Sequence, residues 1–266
     1  MPASSARGNR IIGKHVDIPT ADGVMDGYAA HPDGGGRYAL VVLFMDVWGL
    51  REELFAIARR VAAHGYYCVV PNLYYRAGKV SYARYDAAGR MVSFDTLPAA
   101  LQEEIRSHAL KLNRQTARTD IAGILDFCRA EPVDDGAAGS VGFCMGGRFA
   151  FHAAQEFPER FRANACLHGT SLVGDAADSP HRLAPLMRGE IYCGYGERDR
   201  FATPDVLAAL ERALGGRSDL VYRFNVHAGA GHGYALPDRD IYDHAATELD
   251  WREIFAMFER QLARSG

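Results

Sequence analysis

Long apolar runs are missing from this 266-residue chain: nowhere do about 18 apolar residues follow one another, so no membrane-crossing helix is expected. Runs of lysine and arginine are missing too. Lys and Arg number 30 against 33 Asp and Glu, the formal charge is −3 and the sequence pI about 6.4, so neither nucleic acid nor an anionic membrane is an expected partner. The opening stretch MPASSARGNR lacks the apolar centre of a secretory signal, and the cytoplasm is the expected location. Internal repeats and low-complexity tracts are absent as well. Cysteine is sparse, five residues with no CxxC pair to suggest zinc or a redox dithiol. Four of them, Cys68, Cys128, Cys166 and Cys193, lie in apolar stretches and read as small buried hydrophobes, whereas Cys144 has unusual neighbours.

What is present is the composition of a globular chain, 48% hydrophobic and 24% charged with mean hydropathy −0.17. The length suits one α/β domain over residues 1–266. Apolar runs of strand length alternate with segments of helical period, which predicts a mainly parallel sheet with helices on both faces. Residues 11–18 and 24–31 flank Ala21-Asp22-Gly23 as an antiparallel edge hairpin. Strands are expected at 38–45, 66–70, 140–143, 163–168, 191–194 and 221–226, and two β-α-β crossovers are expected by residue 70. Helices are expected at 51–64, with Leu54, Ile57, Ala58 and Val61 inward, at 98–112, at 114–129 with Ile121, Leu125 and Cys128 on one face, and at 243–262. Residues 77–97 lose periodicity and read as a lid or an irregular connection.

Gly142-Phe143-Cys144-Met145-Gly146 has the form G-x-nucleophile-x-G. On a sharp strand-to-helix turn the glycines leave room for close approach, the nucleophile stands above the sheet, and the next backbone N–H, that of Met145, faces a reacting carbonyl. A helix N-terminus also favours thiolate. The alternative is a strand-helix junction that uses glycine for packing alone. An acid and then a histidine are expected after later strands. Asp199 follows the 191–194 strand and His232 follows the 221–226 strand. Asp175 and Glu197 are rival acids, and Asp199 could also cap the helix after Pro204. His168 is the rival histidine and otherwise a pocket wall.

At these residues the chain resembles the dienelactone hydrolase family of α/β-hydrolases, from about residue 38 to the C-terminal helix. The likeness rests on residues 142–147 (GFCMGG), Pro71-Asn72-Leu73-Tyr74-Tyr75-Arg76, residues 196–204 and Gly231-His232-Gly233-Tyr234. It implies an α/β-hydrolase fold, hydrolysis of a lactone or related ester by a Cys-Asp-His triad, and neither metal nor organic cofactor. It also nominates the Val47 N–H as second oxyanion donor, Asp46 as the carboxylate that meets the resting thiol, and Arg76 as an anchor for an anionic substrate. Members that cleave dienelactone carry Glu where this chain has Asp46, and an arginine a few residues after the histidine where it reads Gly233-Tyr234-Ala235-Leu236-Pro237. Asp46 otherwise reads as a helix cap near Arg51, and Arg76 as half of a surface ion pair.

The expected chemistry is attack by Cys144 on an ester or lactone carbonyl, with His232 as base, in a monomer or homodimer acting on a small molecule. Trp48, Tyr74, Tyr75 and Tyr234 are expected pocket walls. A general carboxylesterase or thioesterase is the nearest alternative. A non-catalytic small-molecule binder would normally carry a broken triad, and a thiol redox sensor lacks a neighbouring resolving cysteine.

Overall fold

The structure, a computed structural model, describes residues 10–263. Apart from Arg10, the stretch read for an export signal therefore lies outside the described residues. Ile11–Thr20 (β1) and Gly23–Pro32 (β2) pair antiparallel across the expected turn, where Gly23 takes φ 134. Leu40–Phe44 (β3) is buried at every position, as a strand covered on both faces must be. Glu52–Ala63 (α1) follows and buries Leu54, Ile57, Ala58 and Val61 as its period predicts, and Gly65 just beyond it takes φ 95. Tyr67–Pro71 (β4) then returns parallel to β3. Only this one β-α-β unit is complete by Pro71, because β2 meets β4 antiparallel.

Residues 77–97 form an irregular connection with a 3-10 turn at Phe94–Thr96. It is stitched down rather than free: Met91 is fully buried and its N–H donates to the Asp238 carbonyl at 2.7 Å. Ala99–Lys111 (α2) and Arg114–Cys128 (α3) come next, and Asn113 starts α3 by accepting from the N–H groups of Gln115 and Thr116. In α3, Ile121, Ile124 and Cys128 are buried and Leu125 only partly, a small rotation from the expected face.

Ala138–Phe143 (β5), Met145–Glu156 (α4), Phe161–Leu167 (β6), Gly189–Gly196 (β7), Pro204–Leu214 (α5), Leu220–His227 (β8) and His244–Leu262 (α6) complete the chain. The strands form one eight-stranded sheet among the described residues, in the order β1-β2-β4-β3-β5-β6-β7-β8, parallel from β4 onward. Positions on β5 assign the two faces. A Cβ at Gly139 would meet Phe258 of α6, and a Cβ at Gly142 would meet the backbone of α4, so the two helices cover opposite sides. α1 joins α6, with the His64 and Phe255 rings stacked 3.6 Å apart. No helix among the described residues is long and apolar enough to cross a membrane.

Candidate active site

β5 runs into α4 through a single residue, Cys144, at φ 52 and ψ −115. A side chain at this positive φ is strained, and the surroundings hold it there: the Cys144 N–H donates to the Leu167 carbonyl at 3.1 Å, and its carbonyl accepts from Gly147 and Thr170. Added Cβ atoms at Gly142 and Gly146 would lie 2.0 Å from the Gly146 carbonyl oxygen and 2.4 Å from that of Phe44. The turn is this tight because both flanking residues lack side chains.

Asp199 follows β7 and His232 follows β8, and the fold brings both to the thiol. His232 Nδ1 lies 2.8 Å from Asp199 Oδ2, and its Nε2 lies 3.1 Å from Cys144 Sγ. Asp199 is itself fixed by the Phe201 N–H, which donates to Oδ1 at 2.9 Å. Burial disfavours the His232 cation, yet the charge on Cys144 and the Asp199 carboxylate outweigh it and raise the imidazole to about 10. The rival acid Glu197 is used elsewhere, accepting from the Gly229 N–H at 2.7 Å. Cys68, Cys128, Cys166 and Cys193 are buried free thiols.

His168 ends β6 at φ 41, fully buried, with its ring edge-on to that of His232 at 5.2 Å. Neither ring nitrogen has a partner, and burial followed by the proximity of His232 and Arg239 holds its pKa well below the usual value. His168 thus backs His232 and does not line the cavity, a correction to its reading as a pocket wall. Tyr234 is corrected likewise: it packs behind His168 at 5.6 Å and donates to Asp250 at 2.5 Å.

The two residues expected to supply oxyanion donors lie on different elements. Met145 is the first residue of α4, where an N–H has no acceptor within the helix. Val47 lines the cavity after β3, and Tyr74 ties the two segments by donating to the Val47 carbonyl at 3.1 Å with Met145 Sδ 3.7 Å away. Asp46, expected against the thiol, is instead taken up by Arg51 at 2.8 and 3.1 Å and by the Trp48 N–H. The physical reason is charge: Arg51 is buried between Asp46 and Asp238 and holds both carboxylates.

Arg76 and Tyr75 lie away from the cavity. Arg76 spans Asp22 and Asp120 at 2.6 and 2.7 Å over the Tyr75 ring, whose hydroxyl binds Thr20 and Asp120. With two carboxylates on it, Arg76 has no charge left for a substrate, which corrects its reading as an anchor. The cavity over Cys144 and His232 holds about 290 Å³. Of the aromatic residues expected in its wall, Trp48 is there. Phe94, Phe201, Arg106, Arg200 and Arg239 join it, none of them singled out by the sequence motifs.

The model of the dienelactone hydrolase family matches residues 25–262. A Methylorubrum extorquens protein named "Putative carboxymethylenebutenolidase" is 27% identical over 260 residues, covering 95% of this chain and 82% of its own. A Synechocystis protein of the same name is 24% identical, covering 93% of this chain and 96% of its own. Among solved structures, "Putative Dienelactone Hydrolase" from Klebsiella pneumoniae superposes with a TM-score of 0.80 at 22% identity, over 95% of this chain and all of that one. The sheet order, the elbow and these likenesses agree: the fold is that of the α/β-hydrolases, and the chain belongs to the dienelactone hydrolase family.

Proposed function

We propose that this chain hydrolyses a carboxylic ester or lactone with Cys144 as nucleophile, His232 as general base and acid, and Asp199 as the group that orients His232. One observation carries the reading: a continuous line from Asp199 through His232 ends at a thiol on a strained turn. The thiolate forms a bond to the carbonyl carbon while the π pair moves to oxygen, where the N–H groups of Met145 and Val47 receive it. Collapse expels the alkoxide, which takes a proton from His232. Water, deprotonated by His232, then attacks the thioester and releases the acid and the thiol. In a lactone the alkoxide stays tethered, so water must arrive before the ring recloses.

Family membership and relatives named carboxymethylenebutenolidase support a lactone. A second reading, a broader carboxylesterase or thioesterase, is favoured by the engagement of Arg76 with Asp22 and Asp120. Steady-state hydrolysis of dienelactone and of p-nitrophenyl acetate by wild type and Cys144→Ala tests both. The expected result is a loss of roughly 10⁴-fold or more in kcat for the variant, the scale on which triad nucleophiles act. The ratio between substrates selects the reading. Equal turnover by the two proteins overturns the nucleophile.

A further inference from the structure

The two edges of the sheet are finished differently. β1 carries Lys14, Asp17 and Pro19, residues that discourage a further strand from pairing. β8, at the other edge, reads LVYRFNVH, with no proline, no lysine and an unbroken register against β7. Its Val221, Phe224 and Val226 are 42%, 42% and 44% exposed, and no other strand or helix among the described residues exposes more than one large apolar side chain. An edge of this kind is a template for another strand.

The backbone groups of β8 sort by parity. The Asp219 carbonyl accepts from the Gly189 N–H at 3.2 Å and the His227 carbonyl from the Glu197 N–H at 3.0 Å, so odd positions face β7. The N–H and C=O groups of Tyr222, Phe224 and Val226 therefore point out of the sheet edge. Side chains alternate between the two faces as well. Arg223 and Asn225 donate to Glu190 and to the Tyr192 hydroxyl at 3.2 and 2.9 Å, on the side of α6, whose Arg260 shares Glu190. Tyr222 and Phe224 lie on the opposite side with their rings stacked 5.3 Å apart. One face of the edge is apolar and the other polar.

We propose that β8 is the interface of a homodimer, in which it pairs antiparallel with β8 of a second copy of this chain and the two sheets become one. A two-fold axis normal to the sheet keeps like faces on the same side, so each residue stands opposite one of its own parity. Two such registers pair most of the strand. In the first, Arg223 stands opposite the Arg223 of the other copy, like charge against like. In the second, Phe224 stands opposite its own counterpart, Tyr222 opposite Val226 and Arg223 opposite Asn225. The second register sets apolar side chains against apolar ones on one face and separates the arginines on the other. It also gives partners to both backbone groups of Tyr222, Phe224 and Val226 in each copy. This self-complementarity makes a second copy the occupant of the edge. No residue of β8 lines the cavity over Cys144, so the proposal stands apart from the reading of the triad.

The test is sedimentation velocity at about 100 µM protein, a concentration at which an interface of micromolar affinity is filled. Wild type is expected at twice the 29.1 kDa of one chain. Phe224→Lys sets two ammonium groups opposite each other and is expected to raise the dissociation constant at least about 100-fold. A wild type that stays monomeric, or a variant that dimerises as tightly as wild type, overturns the interface. Cross-linking reads the register, because opposed residues of a hydrogen-bonded antiparallel pair lie about 5.5 Å apart at Cα, within disulfide reach. Phe224→Cys is expected to form an interchain disulfide under mild oxidation, against a wild-type control, and Arg223→Cys is not. A disulfide from Arg223→Cys alone, or from neither, overturns the pairing. Should Phe224→Lys fail to fold, wild type alone decides: amide exchange at Tyr222, Phe224 and Val226 is expected to slow at least about tenfold between about 1 and 100 µM protein. Exchange that ignores concentration overturns the interface.

Discussion

At the scale of single residues, the site depends on how charge is shared along three side chains. His232 is held at about 10 against burial by Cys144 and Asp199, so its protonated form contributes stability that is complete below its ordinary pKa of about 6.5 and is lost as pH rises through about 10. Asp199→Asn keeps an acceptor near Nδ1 but removes the charge. The imidazole midpoint, followed by NMR titration of His232, is then expected to move down from about 10 toward 6.5. The kcat is expected to fall by up to about 10⁴-fold, the scale found when a triad loses its acid. A midpoint that stays in place would mean that Asp199 holds His232 by geometry alone. The elbow was legible at this scale because its causes are local: Gly142 and Gly146 stand beside the residue whose turn they permit. For Arg76 an ion pair was legible as the alternative to an anchor, but its partners were not, because Asp22 and Asp120 lie 54 and 44 positions away in sequence.

At the scale of elements, the cavity is framed by loops after β3 and β8, and Arg51 joins them. Its guanidinium reaches Asp46, next to Val47 and Trp48, and Asp238, next to Arg239, all with side chains no more than 9% exposed. Arg51→Ala would leave two buried carboxylates unpaired, a change expected to cost about 3–5 kcal/mol of stability in denaturant melts. Arg51→Ala with Asp46→Asn and Asp238→Asn together should recover much of that loss. If the triple variant is no more stable than the single one, packing by the arginine stem rather than charge accounts for the effect. The strands, helices and their order followed from periodicity, which each segment carries within itself. The clamp did not, since Arg51 and Asp238 are 187 residues apart and nothing in either neighbourhood marks the other. Asp46 illustrates the same point: its position after β3 was plain, but its partner is chosen by the charge nearest to it in space, and that is Arg51 rather than the thiol.

For the whole molecule, a net charge of −3 sits beside a cavity whose wall carries three arginines and no carboxylate. The acidic excess is therefore carried by the rest of the chain, and two copies that meet along β8 each bring it with them. Repulsion and pairing respond differently to salt. Repulsion by the net charge fades once the screening length drops to about 8 Å at physiological ionic strength and about 3 Å at 1 M. Backbone hydrogen bonds and apolar contact along β8 are screened far less. The dissociation constant of the dimer is therefore expected to fall between about 0.05 and 1 M salt, and by no more than about tenfold. A constant that rises steeply over that range would assign association to ion pairs, and charged side chains would replace Tyr222, Phe224 and Val226 as the groups that join the copies. Pairing through the backbone also explains why the chain's acidic balance is compatible with self-association. The joining groups carry no formal charge and act at contact distance, where the net charge is a minor opponent.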